Sequence, residues 1–238
     1  MNDRLYFRQL LAGHDFAIGD DVATSMRNFT YALGDRESGD AVLVDPAYQP
    51  SELVDLVAAD AMNVVGVFAT HFHPDHVGGF LFGPQRVAGV AELLDIVDVP
   101  VHVQEPEVPW LIERAGLSAD QLVAHDDGDV VSVGSIAITM LLTPGHTPGS
   151  QCLLVEGRLL SGDTLFIDGC GRTDFPGGDP KEMFQTLHER LAFVDDETVL
   201  FPGHLYSPEA SLPMGEVRRR NYVFEPRTLE LWLAMFAS

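Results

Sequence analysis

Short apolar runs alternate with polar, glycine- and proline-rich turns along the chain, which predicts many short strands and helices. In the first half we expect an edge strand within residues 1–12, a loop at 13–26, paired strands at 27–33 and 41–45, a helix at 51–61 and a buried strand at 64–69. The helix is expected to begin after Ser51, whose side chain would act as the N-cap.

The second half of the chain has the same order of elements, although no repeat of sequence is detectable. Strands are predicted at 99–103, 130–133, 136–142, 152–155, 158–160 and 198–201, and helices at 90–97, 108–115, 181–192 and 228–236. In each half, strands lead to a helix, a further strand and then a polar turn. This order predicts two sheets packed face to face with helices outside them, in a single domain over residues 1–238.

The polar turn after the strand at 64–69 is rich in possible metal ligands. Within six residues it contains His71, His73, Asp75 and His76, and imidazole and carboxylate groups bind zinc and similar first-row ions. If strand geometry continues, His71, His73 and Asp75 lie on one side of the chain. His76 would join them where the chain turns into a helix at 77–79. The alternative is a histidine-rich surface turn.

Three later turns also follow predicted strands, and each contains one more ligand of this type. His146 lies between two Pro-Gly pairs, Asp163 follows the strand at 158–160, and His204 follows Pro202-Gly203. A single histidine or aspartate in a turn is usually just solvated. Four turns of this kind, each after an apolar strand, favour a shared metal site.

Composition narrows the class of partner. Hydrophobic residues make up 46% of the 238 residues, and 36 acidic against 14 basic side chains give a net charge of −22. This charge argues against a nucleic acid or an anionic membrane surface as partner. Cys152 and Cys170 cannot form a disulfide framework, and no signal segment or apolar run of ~18 residues is seen. We therefore expect a soluble, cytoplasmic protein.

These ligand-bearing turns, in this order, resemble those of the metallo-β-lactamase-fold superfamily, and the resemblance covers nearly the whole chain. It implies an α/β (α+β) fold, a four-layer αββα sandwich with a metal site along one edge of the sheets. It also implies two divalent ions, zinc first, with iron or manganese as alternatives. The implied ligands are His71, His73 and His146 for one ion, Asp75, His76 and His204 for the other, and Asp163 as a bridge.

Within the superfamily the chain resembles two thiol-handling groups. Residues 73–79 and 162–166 are similar to glyoxalase II-type thioester hydrolases, whereas residues 169–175 and 225–227 and Tyr206 are similar to persulfide dioxygenases. Arg172 and Tyr206 are therefore candidate substrate-binding residues, which could hold an anionic thiol carrier at the mouth of the site. The alternative is a surface arginine and a packed tyrosine.

We expect a metal-dependent hydrolase that cleaves the thioester of a small-molecule thiol conjugate. Two bridged ions lower the pKa of a shared water from ~16 towards ~7, so that a bridging hydroxide forms, and Asp75 is the expected proton acceptor. The alternatives are a persulfide dioxygenase with one iron on His71, His146 and Asp163, another hydrolase such as a lactonase or phosphodiesterase, and a non-catalytic binding module. The oligomeric state is left open.

Overall fold

The protein, described here by a computed structural model over residues 4–236, contains two six-stranded sheets and a separate hairpin. The first sheet has the order β1 (Leu5–Leu11), β2 (Phe29–Asp35), β3 (Asp40–Val44), β4 (Asn63–Phe68), β7 (Val101–Gln104), β8 (Leu122–His125). The second has the order β14 (Leu212–Pro213), β13 (Val199–Pro202), β12 (Arg158–Gly162), β11 (Gln151–Val155), β10 (Ile136–Leu142), β9 (Val130–Val133). Strands β5 (Gly79–Phe82) and β6 (Gln85–Val87) form the hairpin.

Eight α-helices accompany these strands in the described part of the chain. They are α1 (Asp21–Met26), α2 (Pro50–Ala59), α3 (Pro74–Val77), α4 (Val90–Leu94), α5 (Val108–Ala115), α6 (Pro180–Gln185), α7 (Met214–Arg220) and α8 (Leu229–Phe236). Within residues 4–236, no helix has the length and apolar character that a membrane span requires.

Successive side chains along each strand face opposite sides of the sheet, and together they form three apolar layers. This arrangement confirms the predicted αββα sandwich. In β3, Ala41 and Leu43 belong to the layer between the first sheet and its helices, whereas Val42 and Val44 belong to the layer between the two sheets. A third layer separates the second sheet from helices α6, α7 and α8. Each sheet is thus apolar on both faces, which stabilises the stack by burial of apolar surface.

The structure corrects several predicted boundaries. The expected loop at 13–26 contains α1, because the Asp20 carboxylate accepts hydrogen bonds from the N–H groups of its first turn. Helix α2 begins at Pro50, its N-cap is Gln49, and Ser51 is not the cap. The predicted helix at 181–192 ends at Gln185 and continues as a wider turn and a short 3₁₀ segment. The hairpin β5–β6 was not predicted.

Parallel pairing brings the polar turns to one edge of the sandwich. Strand β3 is parallel to β4, and β12 is parallel to β13, with α2 and α6 in the respective connections. Strand β10 is antiparallel to β11, which is antiparallel to β12, so β10 and β12 run in the same direction. The carboxyl ends of β3 and β4 in the first sheet and of β10, β12 and β13 in the second therefore lie at the same edge. The turns with the predicted ligands follow β4, β10, β12 and β13.

A buried carboxylate links the two sheets away from that edge. Asp35, fully buried at the end of β2, accepts hydrogen bonds from the N–H and hydroxyl of Ser135, at 2.7 and 2.9 Å, in the turn between β9 and β10. Arg4 Nε donates to it at 2.8 Å. The Arg4 hydrogen bond, with those from Ser135, outweighs burial and lowers the pKa of Asp35 well below its usual range.

We expect Asp35→Asn to lower the thermal unfolding temperature at pH 7. Because the pKa of Asp35 is lower in the folded than in the unfolded protein, its contribution is present above the unfolded value of about 4 and is lost as pH falls below it. The difference between wild type and variant should therefore shrink below about pH 4. Glu37→Gln, which removes the exposed second partner of Arg4, is the matched control and should change little. A pH-independent difference would contradict the assignment.

Candidate metal centre

The structure brings all seven predicted ligands together at one edge of the sandwich. The side chains of His73 and Asp163 are partly accessible, and the other five are buried: His71, Asp75, His76, His146 and His204. The chain reaches this arrangement differently from the prediction. Helix α3 begins at Pro74, with His73 as its N-cap, and ends at Val77. Asp75 and His76 thus project from a short helix that begins three residues before the predicted helix at 77–79 and ends at Val77.

The first group of donor atoms comes from both sheets. His71 and His73 follow β4, and His146 follows β10. Their ring nitrogens lie within 4.8 Å of one another, and His73 Nδ1 is 2.9 Å from His146 Nε2. His71 Nε2 is buried and has no hydrogen-bond partner among the described residues. A buried polar atom without a partner is costly, and a bound cation would satisfy it.

The second group has tetrahedral spacing. His76 Nε2 lies 3.2 Å from His204 Nε2, 3.5 Å from Asp75 Oδ2 and 3.3 Å from Asp163 Oδ1. His204 Nε2 lies 3.4 Å from the same Asp75 oxygen and 3.3 Å from the same Asp163 oxygen. Ligands at about 2.0–2.1 Å in a tetrahedron around zinc would be roughly 3.3–3.4 Å apart. The donor atoms of this group therefore fit a zinc-sized ion.

Asp163 lies between the two groups. Its Oδ1 faces His76 and His204, and its Oδ2 is 3.7 Å from His146 Nε2 in the first group. Asp163 Oδ1 is also buried, with no hydrogen-bond partner among residues 4–236. One carboxylate that turns an oxygen to each group is suited to bridge two cations.

Outer hydrogen bonds hold four of the rings so that Nε2 points inward. In each ring Nδ1 meets an oxygen outside the two groups. The pairs are His71 with Thr70 Oγ1 at 3.0 Å, His76 with Asp45 Oδ2 at 2.9 Å, His146 with the Arg172 carbonyl at 2.7 Å and His204 with the Met26 carbonyl at 2.8 Å. Carbonyl and carboxylate oxygens only accept, and the Thr70 hydroxyl already donates its one proton to Asp45, so Nδ1 donates in all four rings and Nε2 is the nitrogen available to a metal.

Asp45 acts outside the ligand groups, although its carboxylate lies near His71 and His76. It accepts hydrogen bonds from the Thr70 N–H at 2.7 Å, the Thr70 hydroxyl at 2.6 Å and His76 Nδ1. Its backbone has φ of 53°, a strained conformation for a residue other than glycine. In this conformation the carboxylate faces Thr70 and His76. Because both of its oxygens accept hydrogen bonds there, Asp45 orients these two residues.

Asn28 caps the second group and was missed in the sequence. Its buried Nδ2 lies 3.1 Å from Asp75 Oδ2, 3.3 Å from His76 Nε2 and 3.4 Å from His204 Nε2. The hydroxyl of buried Tyr48 donates to Asn28 Oδ1 at 2.7 Å and so orients the amide. An isolated polar residue at the start of β2 has no spacing signal that could reveal this position.

Glu107 ties the loops of the first group together. This fully buried carboxylate accepts hydrogen bonds from the Phe72 N–H at 2.7 Å, the Gly149 N–H at 2.7 Å and the Thr147 hydroxyl at 2.9 Å. Phe72 lies between His71 and His73, and Thr147 follows His146. Burial raises the pKa of Glu107 to about 7, against these hydrogen bonds.

The fold and donor geometry agree with comparison to known proteins. The family model described as the metallo-beta-lactamase superfamily matches residues 28–204, which is most of the chain. The chain belongs to the metallo-β-lactamase superfamily. The matched region runs from Asn28 to His204 and so contains every predicted metal ligand.

Relatives within the superfamily have different activities. A probable polyketide biosynthesis zinc-dependent hydrolase, BaeB of Bacillus velezensis, is 27% identical over 83% of this chain and 82% of its own length. The human mitochondrial persulfide dioxygenase ETHE1 is 32% identical over 75% of this chain and 64% of its own length. The crystal structure of ETHE1 from Myxococcus xanthus superposes with a TM-score of 0.79 and 27% identity, covering 98% of this chain and 90% of that one. The predicted likeness to glyoxalase II stays a prediction.

The histidines of the two groups of donor atoms differ in charge. Burial lowers the pKa of His71 and of His73, the latter to about 3, so both rings are neutral as metal ligands must be. Burial also opposes charge on His76 and His204, but the Asp163 carboxylate raises the pKa of His76 well above its usual value and that of His204 to about 9. A metal and a proton would compete for these rings, so binding should release protons.

The two predicted substrate residues, Arg172 and Tyr206, both line the cavity beside the metal centre, and their role in substrate binding stays a prediction. Tyr206 stacks on the His204 ring, with centroids 4.5 Å and planes 10° apart. The Arg172 guanidinium is paired with Asp174, at 2.8 and 2.5 Å, and lies 4.5 Å from the Phe175 ring centroid. Arg172 thus contributes its carbonyl to His146, and its exposed guanidinium already has an acidic partner.

We expect Glu107→Gln to weaken metal binding by the first group of donor atoms. A glutamine amide must turn N–H towards at least one of the donors that Glu107 now accepts from, and a buried unsatisfied N–H costs about 1–3 kcal/mol of unfolding free energy. The variant should lose one ion faster than wild type during dialysis against a chelator, measured by elemental analysis. Glu105→Gln, on the exposed side of the same turn, is the control. Wild-type metal retention and stability in Glu107→Gln would remove Glu107 from this role.

Proposed function

We propose that this protein is a metal-dependent hydrolase that cleaves the thioester of a low-molecular-weight thiol. The observation that carries the proposal is the second donor group, whose tetrahedrally spaced atoms share Asp163 with the first group. A second ion site linked by a bridging carboxylate suits hydrolysis, in which two ions clamp a water and a carbonyl. The likeness to a zinc-dependent hydrolase of polyketide biosynthesis gives further support.

In this proposal His71, His73 and His146 would hold one ion, Asp75, His76 and His204 would hold the other, and Asp163 would be shared between them. Nitrogen and oxygen ligands at this spacing suit zinc, with iron or manganese as alternatives. When bound, two such ions supply an activated water, polarise the thioester carbonyl and stabilise the departing thiolate.

Side chains of the protein would then orient the proton acceptor and take up the proton. Asp75 Oδ2 accepts a hydrogen bond from Asn28 Nδ2 at 3.1 Å, which fixes the carboxylate beside the reacting region. Burial raises the pKa of Asp75, but the positive charge of His76 and the hydrogen bond with His204 lower it by more. The pKa is therefore below its usual value, and Asp75 is ionised at neutral pH. Asp75 is therefore our candidate for proton acceptor. Its orientation depends on Asn28 and hence on Tyr48.

A persulfide dioxygenase is the second candidate. The observation in its favour is the 32% identity to human ETHE1, together with the Gly-Cys-Gly-Arg-Thr-Asp-Phe segment at 169–175. Two histidines and one carboxylate are the ligand set of many iron oxygenases, and His71, His146 and Asp163 could provide it. This activity would use one ion and leave Asp75, His76 and His204 as supporting groups.

We expect His76→Ala to distinguish these functions. If two ions are used, the variant should bind one ion and lose thioester hydrolysis about 100-fold or more, because even residues that only support ligands cost roughly 10–100-fold. If one iron is used, the variant should retain it. The measurement is elemental analysis of protein purified without added metal, beside a thioester assay. His71→Ala is the control and should disable the first group in either case. Full thioester hydrolysis by His76→Ala would sink the two-ion proposal.

We expect Asp163→Asn to reduce bound metal from two ions to one or none and to suppress turnover with it. Asparagine keeps the shape but lacks the charge that makes aspartate a bridge between cations. The fold should survive, because the apolar layers of the sandwich do not depend on this side chain. Elemental analysis and circular dichroism would be run together. Two ions at full occupancy with wild-type turnover would show that Asp163 is not a bridge.

A further inference from the structure

The cavity beside the metal centre has an aromatic rim. It has a volume of about 710 Å³, and four of the exposed aromatic side chains among the described residues lie around it. They are Phe80, Phe175, Tyr206 and Tyr222, exposed by 63%, 41%, 51% and 48%. Aromatic surface that converges on one cavity is buried favourably when an apolar ligand enters.

Aromatic rings lie on both sides of the metal centre. On one side Tyr206 stacks on His204, and Phe166 meets the Tyr206 ring edge-on at 5.2 Å. On the other side Phe175 meets the His73 ring edge-on at 5.7 Å. A substrate bound across the centre therefore has apolar walls beside both of its halves.

Phe80 supplies a further wall from the hairpin β5–β6. This hairpin directly follows α3, so its position is coupled to that of Asp75 and His76 in the same helix. Phe80 is one of the most exposed large apolar side chains in residues 4–236, and it lines the cavity. An apolar acyl group would bury surface that the folded protein otherwise leaves in water.

The charges around the cavity do not favour a polyanion. Arg114 and Arg172 are among its lining residues, but the guanidinium of each has an acidic neighbour: Glu113 Oε1 is 3.4 Å from Arg114 Nε, and Asp174 Oδ2 is 2.5 Å from Arg172 Nη2. Asp168 adds a further carboxylate to the lining. The whole chain carries a net charge of −22, so the surrounding field repels anions.

We propose, resting on the thioester hydrolase function above, that the substrates join an extended apolar acyl group to a small thiol carrier without net negative charge. Phe80 is the specificity-determining residue for the acyl group. Carriers with several phosphates, such as coenzyme A, are disfavoured by the acidic partners of the two lining arginines and by the net charge of the chain. This replaces the expectation from the sequence that Arg172 selects an anionic carrier.

The test compares one acyl group on different carriers, with the metal-loaded protein. Octanoyl thioesters of N-acetylcysteamine, glutathione and coenzyme A are assayed at about 20 mM and about 500 mM salt. At low salt we expect kcat/KM for the neutral carrier to exceed that for coenzyme A about tenfold or more, and the gap to narrow at high salt as repulsion is screened. Equal or higher kcat/KM for coenzyme A at low salt would overturn the proposal.

A binding arm separates this inference from the proposed reaction. The thioethers S-octyl-N-acetylcysteamine and S-octyl-coenzyme A cannot be hydrolysed, so calorimetry measures their affinities whatever the reaction. No turnover of any thioester, with tight binding of the neutral thioether alone, would refute the hydrolase function but support the inferred ligand class. Equal binding of both thioethers would refute the ligand class even if thioesters are hydrolysed.

The role of Phe80 is tested with a matched variant. Phe80→Ala should raise the Kd of S-octyl-N-acetylcysteamine about fivefold, because part of the octyl surface stays in water, and should leave the Kd of the S-methyl analogue unchanged. Phe193→Ala removes an equally exposed phenylalanine, 62% against 63%, that does not line the cavity, and should change neither. An unchanged Kd for the octyl ligand in Phe80→Ala, or an equal rise for both ligands, would overturn the assignment.

Discussion

Donor atoms buried at the edge between two apolar sheets are the constraint on which the rest of this structure depends. Imidazole nitrogens and carboxylate oxygens lie there without partners only at a cost, because an unsatisfied buried polar group costs more than a typical hydrogen bond contributes. The protein meets part of this cost on the outer side of the rings, with the Asp45 carboxylate and the carbonyls of Arg172 and Met26. The backbone around these rings is also tightly packed: a Cβ at Gly171 would lie 2.7 Å from His146 Nδ1.

The same polar edge fixes how the two sheets sit against each other. Apolar contact between them is favourable but not directional, so by itself it would tolerate sliding. Main-chain hydrogen bonds at the edge remove that freedom: the Phe29 N–H donates to the Gly203 carbonyl at 2.8 Å, and the Gln151 N–H to the Thr70 carbonyl at 2.9 Å. A Cβ at Gly203 would lie 2.5 Å from Asp163 Oδ1, so this residue also admits the bridging carboxylate. The contacts that align the two sheets therefore also shape the metal centre.

The sequence pointed to the candidate ligands but not to the groups that orient them, because a candidate ligand is marked by its neighbours in the chain, whereas an orienting group acts on residues far away in the sequence. Each predicted ligand follows an apolar strand directly, so its position is encoded within a few neighbouring residues. Asn28, by contrast, acts on Asp75, which lies 47 positions away, and no spacing rule connects them. Some missed features did have local signals. Pro74 suits the first turn of a helix, and Gly83-Pro84 suits the turn of the unpredicted hairpin.

The three ligands of the one-iron activity are also ligands in the two-ion activity, so the number of ions depends on the second group of donor atoms. The balance of lone pairs and hydrogens within the second group is more informative. Four inward atoms there belong to Asp75, His76, His204 and Asp163, and the neighbouring Asn28 amide has only two N–H groups to offer them. The raised pKa values of His76 and His204 express the same deficit, since these rings hold protons to offset the carboxylates. A divalent cation would satisfy all four atoms at once, which is the physical reason to favour a two-ion centre.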